Sequence, residues 1–147
     1  HPEAFGSSFE EERDRTPEQV APLLINPDVR VFGAWNDGEL IGIVAISRNQ
    51  RIKTCHRAMI GGMYVASEAR GQGTGRALIA AALDFARSCE GLEDVTLAVT
   101  VGNDAARHLY VQAGFTGYSV DPRYIKTGGH YYDIEWMILR IAEDKTA

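Results

Sequence analysis

The chain has 147 residues, of which 45% are hydrophobic and 24% are charged, and its formal net charge at pH 7 is −5. This composition excludes a disordered chain, offers no apolar run near the ~20 residues of a membrane-spanning helix, and disfavours nucleic acid, whose phosphates bind basic surfaces. The length suits a single domain over residues 1–147, and Cys55 and Cys89 fit neither a disulfide framework nor a metal site, which indicates a reducing cytoplasm.

The amino-terminal segment predicts a short helix after an acidic stretch. Three consecutive glutamates at 10–12 lie in a polar region that ends near Thr16. Thr16 is a candidate helix N-cap, with Pro17 at the first helical position and Gln19 three residues after the cap. This helix should end before Pro27, because a helix rarely continues into a proline.

Three strands are predicted next. The apolar, β-branched runs at 29–35 and 40–47 flank Asp37-Gly38, which tolerates the positive φ of a tight hairpin turn. Residues 57–65 predict a third, mostly apolar strand. Gly61-Gly62 within it is unusual, because glycine weakens a strand interior and often marks a bulge.

Helices and strands alternate in the second half of the chain. After a loop at 66–73, the spacing of apolar residues predicts a helix over 74–88, followed by a strand over 95–101. Asn103 caps a second helix, and Gly114 stops it.

The chain then predicts a strand at 115–120, a loop at 121–129 and a long last strand at 131–141. This order of elements predicts an α/β fold, with a mixed sheet and helices on its faces.

Residues 70–76, Arg-Gly-Gln-Gly-Thr-Gly-Arg, follow a strand and open a helix. The first N–H groups of a helix have no helical partner, and the helix dipole adds partial positive charge there, so a phosphate can dock on these amides. Glycines let the backbone approach the phosphate, and Arg70 and Arg76 can add charge-assisted hydrogen bonds. The stretch therefore predicts a phosphate-binding loop.

Three types of phosphate site compete for this loop. A Walker loop ends in Lys followed by Ser or Thr, whereas Arg76-Ala77 stands here. A dinucleotide fingerprint needs a third glycine where Arg76 stands, although Gly71 and Gly73 fit and Glu90 lies near the place of a ribose-binding acid. The third type is an acyl-CoA site.

The pattern Arg70-x-x-Gly73-x-Gly75 resembles the signature of the GNAT superfamily of acyl-CoA N-acyltransferases, which reads Arg or Gln, two residues, Gly, one residue, Gly or Ala. The resemblance covers nearly the whole chain and includes Met63-Tyr64-Val65, Asn103 with Tyr110 and Gly114-Phe115, and Met137-Ile138-Leu139-Arg140. It implies a mostly antiparallel sheet of about six strands with helices on both faces, splayed between two central strands. It also implies a first strand and most of a helix ahead of His1 that this sequence lacks.

The resemblance implies acetyl-CoA as the acyl donor, CoA as the product and no metal. The pantetheine arm would enter the gap between the splayed strands and hydrogen-bond the exposed strand backbone, at a bulge that Gly61-Gly62 could favour. The cofactor-binding residues expected from the loop and the resemblance are Met63, Tyr64, Val65, Arg70, Gly71, Gln72, Gly73, Thr74, Gly75, Arg76, Asn103, Ala106 and Tyr110.

By the same resemblance, Tyr110 occupies the position of the general acid. A phenol with its ordinary pKa of about 10 is protonated at neutral pH and can donate a proton to a leaving thiolate. A carboxylate or a chain of waters would accept the proton of the amine, and the candidates are Glu135, Asp133 and one of the glutamates at 10–12. A backbone N–H of Met63 or Tyr64 would stabilise the oxyanion.

The sequence thus predicts an N-acetyltransferase that moves an acetyl group from acetyl-CoA to a primary amine of a small molecule or peptide, by direct attack in a ternary complex. The alternative is a catalytically inactive acyl-CoA-binding sensor or interaction module. A membrane or nucleic-acid partner is not expected, and a homodimer is an expected assembly because dimers are frequent in the family. The identity of the amine acceptor is left open.

Overall fold

The computed structural model describes residues 2–4 and 15–142, so the glutamates at 10–12 lie outside the described residues. Its helices are α1 Pro17–Leu24, α2 Thr74–Ser88 and α3 Asp104–Gln112, with single 3-10 turns at Pro2–Ala4 and Ser67–Ala69. Its strands are β1 Val29–Asn36, β2 Glu39–Arg48, β3 Arg57–Val65, β4 Asp94–Thr100, β5 Thr116–Thr127 and β6 His130–Arg140. The bounds of α2 and β3 are those that the sequence predicts.

Local signals account for the first helix and the first hairpin. At the start of α1, the Thr16 N–H donates to Gln19 Oε1 at 3.0 Å, as the predicted capping residues require. Between β1 and β2, Asp37 and Gly38 have φ angles of 47° and 81°, which is the backbone shape that a two-residue hairpin turn needs.

The described strands form one six-stranded sheet in the order β1-β2-β3-β4-β6-β5. β3 and β4 run parallel, whereas the other neighbouring strands pair antiparallel. The predicted mixed, mostly antiparallel sheet is therefore confirmed.

Helices cover both faces of this sheet, as predicted. α2 and α3 pack on one face, where the largest fully buried side chains are Val44, Ile46, Ile79, Val95, Leu97, Phe115 and Met137. On the opposite face, Leu24 of α1 lies beside Val31 and Trp35 of β1. The Pro2–Ala4 turn also lies on that face, where the Glu3 carbonyl accepts a hydrogen bond from Thr100 at the end of β4.

One predicted element is wrong in extent, because only residues 128–129 of the predicted loop at 121–129 form a turn. β5 continues to Thr127, and its register with β6 shifts around residues 122–124, which form a wide bulge. Arg123 has a φ of 57° within the bulge, and its N–H donates to Asp133 Oδ1 at 2.8 Å. The bulge accommodates the turn-forming residues and lets the β5–β6 hairpin continue beyond them.

β3 carries the bulge that its two glycines suggest. Gly61 pairs with Ala45 of β2, and Tyr64 pairs with Ile43, so three steps along β3 match two steps along β2. Gly62 lies between the two pairs with a φ of 60°, a conformation that other residues rarely adopt.

β3 also separates from β4. The pairing of these two parallel strands covers only three residues of each strand and ends at Met59 opposite Thr96. Beyond this pair the carboxyl-terminal halves of the strands diverge, which confirms the predicted splay between the central strands and opens a gap in the sheet.

Gly42 of β2 lets α2 approach the sheet closely. A Cβ atom at this position would lie 2.9 Å from Leu78 Cδ1 and 3.1 Å from the Tyr64 carbonyl oxygen, which is closer than ordinary van der Waals contact. The start of α2 is therefore held against the region where β3 leaves β4.

We expect Gly42→Ala to lower the free energy of unfolding by about 1–3 kcal/mol, because the added methyl group overpacks the contact between α2 and β2. Gly61→Ala is the matched control, since a Cβ there would meet no atom within 4 Å. The control should change stability by at most about 1 kcal/mol, in the stabilising direction. Denaturant unfolding of both variants measures the difference, and equal losses would contradict the proposed close packing.

Candidate functional site

A cleft of about 420 Å³ opens where β3 and β4 separate. Its walls are the end of β3, the end of β4, the loop before α2 with the first turn of that helix, α3 with its cap, and the Pro2–Ala4 turn. Its lining residues are Ala4, Met63, Tyr64, Val65, Arg70, Gly71, Gly73, Gly75, Arg76, Ala98, Val99, Thr100, Asn103, Ala105, Ala106, Leu109 and Tyr110. Residues that are far apart in sequence, from both halves of the chain, thus share one cavity.

The loop before α2 has the geometry of an anion cradle. Gly71 and Gly73 have φ angles of 72° and 84°, and a Cβ added at either position would meet no atom within 4 Å, so the space beside both is open. The Ala77 N–H donates to the Gly73 carbonyl at 2.9 Å. The N–H groups of residues 74–76 precede that bond and are left to a ligand or solvent by the helix itself.

Three side chains of the loop donate hydrogen bonds to backbone carbonyls nearby in the sequence. Arg70 Nε donates to the Val65 carbonyl at 3.0 Å, and Gln72 Nε2 donates to the Glu68 carbonyl at 3.0 Å. The Thr74 hydroxyl donates to the Ala69 carbonyl at 3.3 Å. Gln72 and Thr74 are absent from the described lining of the cleft, so these two predicted cofactor residues brace the loop through their side chains and can offer only their backbones.

Gly75 brings three walls of the cleft together. A Cβ at this position would lie 3.2 Å from Leu109 Cδ2 of α3 and 3.3 Å from Met63 Cε of β3. The first turn of α2 therefore lies close to both α3 and β3, and a larger residue at position 75 would require the side chains of Leu109 and Met63 to shift.

The end of β3 supplies a backbone edge to the cleft. Met63, Tyr64 and Val65 line the cavity, and they lie beyond Met59, where the pairing with β4 ends. An edge of this kind can accept an extended ligand as an added strand would be accepted. The structure thus brings all three predicted strand residues to the predicted place.

α3 places Tyr110 against the cleft. The Tyr110 side chain is 6% exposed, lines the cavity and packs edge-on against Phe115 with ring centroids 6.3 Å apart. Burial raises the pKa of the Tyr110 phenol above its usual value of 10.0. The phenol is therefore protonated throughout the physiological pH range, and its ring packs against the ring of Phe115.

Asn103 and Ala106 form the amino-terminal cap of α3. Asn103 Oδ1 accepts a hydrogen bond from the Ala106 N–H at 3.3 Å, which is the predicted capping interaction. Both residues also line the cleft. The cap fixes the start of the helix that carries Tyr110.

Glu135 does not line the cleft within the described part of the chain. Its two carboxylate oxygens accept hydrogen bonds from Arg107 Nε at 2.7 Å and Nη2 at 3.2 Å, a bidentate pair between β6 and α3. This hydrogen bond, together with the charge of Glu135, raises the pKa of Arg107 above its usual value. Gly117 of β5 provides the room, because a Cβ there would overlap Glu135 Oε1.

Asp133 is engaged in a different contact. Its Oδ1 accepts the N–H of Arg123 in the β5 bulge, and its backbone carbonyl accepts the N–H of Val101 just after β4. Neither carboxylate candidate on β6 is among the described lining residues, so the role of Glu135 or Asp133 as a base stays a prediction.

The cleft brings three kinds of chemical group together. The loop at 70–76 contributes backbone amides and Arg76, the edge of β3 contributes backbone groups, and α3 contributes the buried hydroxyl of Tyr110. Among residues 2–4 and 15–142, no three side chains of the metal-binding types lie together, and a role without metal stays a prediction. No described helix is long and apolar enough to span a bilayer.

Six lining residues escape the sequence-based assignment. Three of them, Ala98, Val99 and Thr100, lie at the end of a strand that the sequence predicts. Their place on the cleft depends on where this strand separates from β3, and the residues of the segment itself do not indicate that separation. The remaining three are Ala4, Ala105 and Leu109. Ala105 and Leu109 have the apolar spacing of core residues on a helix. Only their position beside the gap shows that they line the cleft as well.

Comparison with protein families gives a match over residues 2–115 to the model described as Acetyltransferase (GNAT) family. Among curated proteins, the spermidine N(1)-acetyltransferase of Vibrio cholerae is 34% identical over 102 residues, which are 68% of this chain and 56% of that protein. The chain thus spans little more than half the length of this relative.

Solved structures share the fold. A GCN5-related N-acetyltransferase from Kribbella flavida is 27% identical and superposes with a TM-score of 0.79, covering 95% of this chain and 83% of that one. A structure from Salmonella typhimurium that contains its cofactor acetyl-CoA is 22% identical, with a TM-score of 0.74 and coverage of 88% and 72%.

Because burial raises the pKa of Tyr110 above 10.0, we expect its phenol to stay protonated when exposed tyrosines ionise. The difference between the ultraviolet titrations of wild type and Tyr110→Phe isolates this group and should show a midpoint above about 10. The unfolded chain ionises first, so the stabilising effect of burial is intact below pH 10 and is lost as the pH rises further. A midpoint below 10 would contradict the buried phenol.

Proposed function

Because the chain belongs to the GNAT acetyltransferase family, we propose that it transfers an acetyl group from acetyl-CoA to a primary amine by direct attack in a ternary complex. The observation that carries this proposal is the cleft itself. An anion cradle, an exposed strand edge and a buried phenol line a single gap between β3 and β4. A long diphosphate ligand with a reactive end has a partner group for each of the three.

The residues that would hold acetyl-CoA divide by chemistry. The amides of the loop at 70–76 and the guanidinium of Arg76 face the diphosphate. The backbone of Met63 and Val65 accepts the amide-bearing arm, and Asn103 and Ala106 border it from α3. When bound, acetyl-CoA supplies a thioester whose carbonyl carbon is open to an amine.

Tyr110 then acts as the general acid. Its hydroxyl gives a proton to the sulfur as the carbon–sulfur bond breaks. The nitrogen that has attacked the carbonyl loses one proton as the amide forms, and this proton returns the Tyr110 phenolate to the phenol. A backbone N–H at Met63 or Tyr64 stabilises the negative charge on the carbonyl oxygen. The raised pKa of Tyr110 keeps the donor in its protonated form at neutral pH.

A base must remove one proton from the ammonium before attack, because an ammonium has no lone pair. The carboxylate candidates for this base stay Glu135, Asp133 and one of the glutamates at 10–12. The bidentate contact with Arg107 gives Glu135 a second possible role, which is to hold α3, and with it Tyr110, against β6.

The acceptor is proposed only as a class, a primary amine of a small molecule or peptide. The Vibrio cholerae relative is named for spermidine, which makes a polyamine a sensible first compound to assay. A cytoplasmic location agrees with the free thiols of Cys55 and Cys89, and a homodimer stays a prediction.

We expect Tyr110→Phe to lower kcat by about 10²-fold or more, because the departing sulfur loses its proton donor. The dissociation constant for CoA should change by less than about twofold, since the ring and its packing remain. Thiol release with a panel of amines, together with calorimetry of CoA binding, measures both quantities. Tyr118→Phe on exposed β5 is the matched control and should leave kcat unchanged.

A wild-type protein that binds CoA but acetylates no amine would support the inactive sensor instead. A Tyr110→Phe variant with full activity would remove the general-acid role while leaving the transfer reaction in place.

For Glu135→Gln we expect a loss in kcat of less than about tenfold, because the amide oxygen still accepts a hydrogen bond from Arg107 and preserves the link to α3. A true base at this position would cost about 10²–10⁴-fold and would change the acidic limb of the pH–rate profile. The pH profile of the variant decides between the two roles.

A further inference from the structure

Thr100 is the one buried polar residue among residues 2–4 and 15–142, with 5% of its surface exposed. It ends β4 at the cleft, and its hydroxyl donates a hydrogen bond of 2.6 Å to the backbone carbonyl of Glu3. The contact joins residues 97 positions apart in the sequence. It therefore fixes where the Pro2–Ala4 turn lies on the sheet.

The turn fixed in this way forms a wall of the cleft. Ala4 follows Glu3 directly and lines the cavity together with Thr100 and Ala98. In β4, Thr100 alternates with Val99, whose side chain is buried toward α2 and α3. The Pro2–Ala4 wall thus lies on the sheet face opposite the helix that carries Tyr110.

The two faces of the gap are bordered by different elements. α2, α3 and the phosphate loop occupy one face, and Tyr110 reaches the cleft from that side. An amine adds to the carbonyl carbon from above or below the plane that holds the sulfur, so it needs room beside that plane. Because α2 and α3 pack on the side from which Tyr110 reaches the cleft, the approach left for the amine is from the other side. That side is bordered by Ala4 and Thr100.

We propose that Thr100 is a positioning residue of the acceptor site, which acts by holding the Pro2–Ala4 turn as the wall along which the amine enters. This inference rests on the proposed acetyl transfer. Thr100 itself neither donates nor accepts the transferred proton, and its hydroxyl is committed to Glu3.

Two substitutions separate the hydroxyl from the shape of the side chain. Thr100→Val keeps the branched shape in a buried strand position and removes the donor to the Glu3 carbonyl. Thr100→Ser keeps the donor and removes one methyl group. A role that depends on the hydrogen bond is lost in the first variant and retained in the second.

The test measures steady-state kinetics with acetyl-CoA and whichever of spermidine, a free amino acid and an unblocked peptide wild type acetylates. We expect Thr100→Val to raise the KM of the acceptor about tenfold, with kcat and the dissociation constant of CoA changed less than about twofold. Thr100→Ser should restore the acceptor KM to within about twofold of wild type.

Hydrogen exchange of the peptide that contains residues 2–4 gives a readout that needs no acceptor. Exchange should be faster in Thr100→Val and close to wild type in Thr100→Ser. Faster exchange with an unchanged acceptor KM would overturn the proposal and leave only a structural contact. A Thr100→Val variant that loses affinity for CoA and keeps the acceptor KM would also overturn it. A wild-type protein that binds CoA and acetylates no amine would contradict the proposed function, and with it the acceptor role of Thr100.

Discussion

The separation of β3 from β4 after three paired residues is the constraint on which the site depends. A sheet whose strands stayed paired to their ends would use the backbone groups of Met63 to Val65 internally and would have no gap. The bulge at Gly62 turns β3 while its pairing with β2 continues as far as Val65. The strand is thus supported on one side and opened on the other, which makes a rigid edge for a ligand.

A second consequence of the gap is that α2 must begin close beside it. Gly42 beneath the helix and Gly75 within its first turn both permit contacts that a Cβ would prevent. These glycines serve packing, whereas Gly71 and Gly73 serve conformation and open space. The shape of the loop before α2 therefore depends on its own residues, and its position depends on Gly75 within the motif and on Gly42 outside it.

The sequence predicts the elements whose signals are local. The capping residues of α1, the Asp37-Gly38 turn and the bounds of α2 and β3 follow from propensity and spacing. β5 is the exception. Residues 121–129 include types that favour turns, and only the pairing with β6 shows that a bulge accommodates them. The contact of Arg107 with Glu135 joins residues 28 positions apart, and the local sequence around either residue does not predict it. The sequence does not predict that β4 lines the cleft for a similar reason, because the splay depends on the pairing of two strands.

Tyr110 shows how one packing arrangement serves both stability and chemistry. Its ring belongs to the core cluster with Phe115, whereas its position beside the cleft gives the phenol access to a ligand. The burial that fixes the ring also raises the pKa of the hydroxyl, so the group that packs best is also the one that stays protonated. In the proposed reaction, this placement divides the gap. The core-side face belongs to the helix that carries the proposed acid, and the proposed amine approaches from the face bordered by Ala4 and Thr100.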